Sequence, residues 1–100
     1  MKSSALFKSN GFITFTEIDN MVRIEIHMRK LQLYHEYTFY IICVRCGFYR
    51  YSEYLTTLKS NYKGNIDFSF YYDINLNSMK KINIYKNNIY MDSAKIKVTD

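Results

Sequence analysis

MVRIEIHMR, residues 21–29, alternates between apolar and polar without a break from Val22 onward. Val22, Ile24, Ile26 and Met28 fall on one side; Arg23, Glu25, His27 and Arg29 fall on the other. Successive side chains of a strand point to opposite faces, so this is a half-buried antiparallel strand with one face on a core and one in water. Asp19-Asn20 stands just before it. Short Asp and Asn side chains bond their local backbone and tolerate left-handed conformations, which predicts a tight turn. Upstream, residues 11–17 alternate too, with Ile13 and Phe15 opposed to Phe12, Thr14 and Thr16. Together they predict an antiparallel hairpin.

The period of two returns further along. Residues 36–44 (EYTFYIICV) are apolar on both sides, the pattern of a central strand covered on both faces. Residues 66–73 alternate, with Ile66, Phe68, Phe70 and Tyr72 on one side. Strands follow at 79–85, around Ile82 and Ile84, and at 89–98, where Ala94, Ile96 and Val98 alternate; Asn87-Asn88 predicts the turn between them. From 45 to 65 the alternation fails, which predicts one long irregular loop of the kind that often carries function. Within it, 52–58 reads as one or two helical turns capped by Ser52. Short strands with turns every eight to twelve residues predict an all-β chain: an antiparallel Greek-key sandwich or barrel of about six or seven strands, forming a single domain.

Composition bounds the function less than the fold. Eleven Tyr and seven Phe stand beside three Gly and no Pro, so Asn and Asp must make the turns. An AT-rich coding sequence produces this bias, which discounts aromatic abundance as a functional signal. The net charge is +5, and the basic residues are scattered rather than clustered. Such charge reads first as solubility on a strand-rich surface. The opening MKSSALFKSNGF is too polar for a signal peptide, and no run approaches the ~20 apolar residues of a membrane span. The expectation is a cytoplasmic, non-secreted protein without a membrane segment, whose Cys43 and Cys46 are free thiols in a reducing compartment.

Cys43 and Cys46 have the spacing of thiol redox motifs, but no helix opens after them to lower a thiol pKa. A structural zinc needs four ligands, and Cys2His2 would consume every Cys and His in the chain, His27 and His35 included. On a strand, residues three apart also point to opposite faces. Cys43 therefore reads as a small buried apolar side chain. No Ser, His and carboxylate are arranged locally as a catalytic triad. The aromatic-basic run Phe48, Tyr49, Arg50, Tyr51, with Tyr54 nearby, is the candidate partner-binding patch, because Tyr and Arg are enriched at binding hot spots.

Several short stretches, in order, resemble the Cu/Zn superoxide dismutases, and more so the superoxide dismutase-like proteins of poxviruses. Gly11-Phe-Ile-Thr-Phe-Thr resembles that family's first strand. Leu31, then Tyr37-Thr-Phe-Tyr-Ile-Ile42, is similar to its Leu…His-Gly-Phe-His-Ile-His strand. Gly64-Asn65-Ile66 resembles the Gly-Asn-Ile/Val after its zinc loop. Ile82-Asn-Ile84 falls at nearly the family's spacing from that Gly-Asn, and 94–98 resembles the strand that follows. The resemblance spans about residues 9–98.

The departures matter as much. Where the family has three histidines, this chain has Tyr37, Tyr40 and Ile42. The family uses six histidines and an aspartate for its metals, and this chain has two His in all. The sequence also stops before the family's last copper-ligand strand. The resemblance thus implies a degenerate relative: no cofactor, no metal site, no catalytic residue and no enzyme activity. It implies action by protein binding, with host factors of copper delivery or other copies in a virion as partners, in host cytoplasm or virion. A missing last strand would leave a sheet edge open to a partner or to self-association. The alternative is a small basic nucleic-acid-binding β domain with a Tyr and Lys surface.

Overall fold

The structure, a computed structural model, describes residues 1–45, 49–74 and 76–99, with only the backbone of Arg45 and Tyr49. Eight strands run through the described residues: β1 (Lys2–Phe7), β2 (Gly11–Ile18), β3 (Met21–Met28), β4 (Glu36–Arg45), β5 (Tyr49–Lys59), β6 (Ile66–Tyr72), β7 (Met79–Lys86) and β8 (Ile89–Val98). A single turn of 3-10 helix, Leu76–Ser78, leads into β7. Every ladder is antiparallel, and the strands lie in the order β5-β4-β7-β8-β1-β2-β3-β6. The sheet curls until its two end strands, β5 and β6, approach each other. The result is an all-β barrel closed everywhere but at that seam.

The opening hairpin is as the sequence predicts. Ile18 pairs with Met21 across Asp19-Asn20, and Asp19 takes a left-handed φ of 55°. Val22, Ile24, Ile26 and Met28 are buried, facing Ile13 and Phe15 of β2 inside the barrel. At the other end of the chain, Asn87 and Asn88 both take positive φ, 51° and 65°, between paired Lys86 and Ile89. That is the two-residue turn whose twist matches its strands. Phe7, Phe15, Phe39, Ile41, Ile82 and Ile84 complete the centre of the core. Each such side chain contributes roughly 1.5–3 kcal/mol when fully buried.

Three expectations are corrected. The strands number eight, not six or seven, and one of the additional ones is β1, formed by the polar N-terminal stretch, with Ser3, Ala5 and Phe7 buried and Leu6 outside, 72% exposed. Two small residues made its inward face too weak to read. Second, the expected loop at 45–65 is mostly the eleven-residue strand β5, and 52–58 is not helical. The cause is a bulge. Phe39 pairs with Thr56 and Tyr40 with Tyr54, so Leu55 is an extra residue, and it is buried. The apolar residues of β5 that pack on the core become Tyr51, Leu55 and Leu58, spaced four and three apart, which is the spacing of a helical stripe.

Third, β4 is covered on one face only. Tyr37, Phe39, Ile41 and Cys43 are buried, while Thr38, Tyr40, Ile42 and Val44 are half-buried on the outside. The real loop between β5 and β6 is short. Asn61 Oδ1 accepts the N–H groups of Lys63 and Asn65, both at 2.9 Å, and Gly64 donates to the Asn61 carbonyl at 3.0 Å. Gly64 has φ +76°, and a Cβ there would run into the Leu31 carbonyl oxygen. Leu31 N–H in turn donates to the Gly64 carbonyl at 3.0 Å, pinning the β3–β4 connection to this loop.

Candidate functional site

The three positions that the resemblance marks as former metal-site residues part company on β4. Tyr37 points into the barrel and is 2% exposed. Its hydroxyl accepts the backbone N–H of Gln32 at 2.9 Å, which satisfies both groups. Tyr40 and Ile42 point outward, as alternate residues of a strand must. The reading of this strand as wholly core therefore holds for Tyr37 and not for the other two.

Around Tyr40 the outer face is aromatic. Tyr54 of β5 lies 5.9 Å from Tyr40, ring centre to ring centre; Tyr85 of β7 lies 5.4 Å from it, and Tyr90 of β8 lies 5.8 Å from Tyr85. Successive planes cross at 77–80°, the edge-to-face arrangement that ring quadrupoles favour. A shallow cavity of about 290 Å³ opens among Thr38, Tyr40, Ser52, Tyr85 and Asn88. Tyr85 and Tyr90 were missed in the sequence because each sits alone in its strand. The β7–β8 hairpin, read as a hairpin, was the signal that sets them side by side.

The patch expected at 48–54 is divided. Phe48 and the side chain of Tyr49 lie outside the described residues. Arg50 is exposed, and Tyr54 joins the tyrosines outside, but Tyr51 packs against the core. The cysteines are divided too. Cys46 lies outside the described residues. Cys43 is fully buried, and burial pushes its thiol above the ordinary value, against a hydrogen bond with Tyr51. A thiol held protonated is a poor nucleophile. His27 and His35 do not approach it: His27 is outside on β3, bonded to Asp67 Oδ1 at 2.8 Å, and His35 Nδ1 bonds the Leu33 carbonyl oxygen at 2.8 Å. Among the described residues no group of three His, Cys, Asp or Glu side chains is placed to hold a metal.

The second feature of interest is the seam. The resemblance implied an open sheet edge without saying which strand would bear it; β8 pairs with β7 and β1, and the unpaired edges belong to β5 and β6. Phe68, Phe70 and Tyr72 of β6 face the same way as the buried Ile26, Ile24 and Val22 they pair with. Yet Phe68 is 45% exposed, because no ladder covers it on its other side. At its far end the Tyr72 hydroxyl bridges the gap, donating to Glu53 Oε1 at 2.8 Å and lying 3.3 Å from the Tyr54 carbonyl oxygen. Burial, and then the bond to Glu53, push the Tyr72 pKa up to about 12.

No family model, no curated protein and no solved structure matches this chain. No helix among the described residues is long and apolar enough to cross a membrane.

Proposed function

We propose that this protein is a non-catalytic β-barrel of the superoxide dismutase-like kind, which works by binding another protein at the seam between β5 and β6. The observation that carries this reading is the exposure of Phe68 on the core-facing side of an edge strand. Free backbone donors and acceptors, next to an aromatic side chain turned toward the interior, are what an added strand uses. Natural proteins usually blunt such edges with charge, Pro or a covering loop. β6 has no Pro, and its one charged residue, Asp67, is occupied by His27 and Arg29.

The superoxide dismutase-like part rests on the path of the chain. β4, β5 and β6 turn back on one another so that β6 lies beside β3 and β7 beside β4. That is a Greek-key path, and the dismutases share this kind of architecture. The outward pair Tyr40 and Ile42 fits a relative without metal, since Ile42 has no donor atom. The partner is a host protein or a second copy, offering an extended segment.

The test is pull-down and light scattering with the full chain and with Phe68→Lys, together with metal content and dismutase assay. The expected result is a partner or self-association that Phe68→Lys abolishes at unchanged melting temperature. Stoichiometric copper or zinc with dismutase activity would overturn the reading.

A further inference from the structure

The outer surface of β7, β8 and β1 carries a band of lysines without an ion-pair partner among the described residues. Lys81 of β7 and Lys95 of β8 are direct cross-strand partners. Lys97 follows two residues along β8, opposite Ser4 of β1, and Lys2 stands two residues from Ser4 on the same face. Alternation fixes their direction: Ile82, Ala94, Ser3 and Ala5 are buried, so the lysines beside them face out. Neighbouring strands lie about 5 Å apart, and alternate residues along a strand about 7 Å, so the band is continuous.

Like charges directly opposite in a ladder repel. On the neighbouring outer face the cations are arginines, and they are paired. On the outer face of β3 and β6, Arg23 meets Glu25 at 3.2 Å and Arg29 meets Asp67 at 3.0 Å. None of Lys2, Lys81, Lys95 and Lys97 has an ion-pair partner among the described residues. Asp92 of β8 lies opposite inward-facing Ile84, and Glu36 lies at the far end of β4, opposite Lys59. The tyrosines adjoin the band directly. Tyr40 is the cross-strand partner of Asn83, two residues from Lys81, and Tyr85 is two residues further. The one covered side-chain oxygen without a hydrogen-bond partner among the described residues, Asn83 Oδ1, lies between the two rows.

We propose that this face binds single-stranded nucleic acid, with the lysine band following the phosphates and Tyr40, Tyr85 and Tyr90 taking the bases. Cations in a row beside aromatic rings are the recurring recipe for single strands, because every base has a π-face. A duplex hides its bases from such rings, and an acidic peptide satisfies the lysines but leaves the tyrosines idle. The lysine band lies on β7, β8 and β1, away from the β5–β6 seam, and Tyr40 alone reaches toward it through Tyr54, so this binding does not depend on the protein-binding reading.

The experiment is fluorescence anisotropy of the full chain with short labelled single-stranded DNA and RNA across a salt series. Four phosphate contacts predict a log–log salt slope of about −3. Lys81→Gln with Lys95→Gln should weaken binding roughly tenfold at low salt and make the slope shallower by about 1.4. Tyr40→Leu should weaken binding and leave the slope unchanged. Lys59→Gln with Lys63→Gln, away from the band, should change neither affinity nor slope. Thermal melting checks that each variant folds. Absence of binding at low salt, equal loss in the Lys59 and Lys63 variant, or equal competition by an oligoglutamate of matched charge overturns the proposal.

Discussion

Tyr72 donates its hydroxyl hydrogen to Glu53 at 2.8 Å across the one place where neighbouring strands of the barrel share no ladder. Replacing it with Phe removes one charge-assisted bond, worth about 1.5–3 kcal/mol when well formed and less where water competes. The expected loss is about 1 kcal/mol in urea unfolding at neutral pH. Amide hydrogen exchange along β6 should speed up more than along β2.

The same residue makes a pH prediction. Tyr72 ionises near 12 in the folded protein, above the ordinary value near 10. Its contribution is therefore complete below pH ~10 and lost as pH rises toward 12. Wild type should lose stability over that window more steeply than Tyr72→Phe. Parallel alkaline profiles would refute the assignment.

Tyr37 and Tyr40 are three residues apart, on opposite faces of β4, and should respond to loss of the hydroxyl to different degrees. Tyr37→Phe removes the part-buried bond to the Gln32 N–H and should cost about 1 kcal/mol. Tyr40→Phe keeps the ring contacts on the outer face and should cost less than about 0.5 kcal/mol. Chemical denaturation of both variants checks the contrast.

Asp67 should show on the acid side. The hydrogen bond from His27, helped by Arg29, holds its carboxyl below the usual range. The stabilisation is present above pH ~4 and disappears as pH falls through the lowered folded value. Asp67→Asn should be slightly less stable at pH 5, within the ~0.2–1 kcal/mol of an exposed pair, and should converge with wild type in strong acid.

Cys43 should be inert. In a Cys46→Ser background, native protein should react with a thiol reagent only as fast as the barrel opens, and unfolded protein at once. Rapid labelling of the native state would place this thiol near the surface.

The hairpin of β2 and β3 was legible because its buried residues are all large and apolar and the outward ones of β3 from Arg23 to His27 are all charged or polar. β1 and β5 were not, for two different physical reasons. In β1, Ser3 and Ala5 fill a tight interior while Leu6 stands in water, so side-chain size reverses the usual pattern. In β5, the extra residue at Leu55 changes the period midway. The candidate surfaces were harder still. Tyr54 and Tyr40 could be picked out one at a time, but Tyr85, Tyr90 and the opposed Lys81 and Lys95 gain meaning only from register. Register is a property of pairs of strands, and a single alternating segment does not carry it.

The pairing of Ser3 with Val98 has a consequence for synthesis. β1 can form its meander with β2 and β3 early, but its other edge must wait for β8. At usual translation speeds that wait lasts roughly 5–20 s. Throughout it the nascent protein exposes a raw strand edge along Ser3 to Ala5, joined by the one beside Phe68 once β6 is made. Its most aggregation-prone moment therefore comes before the barrel exists, on the ribosome.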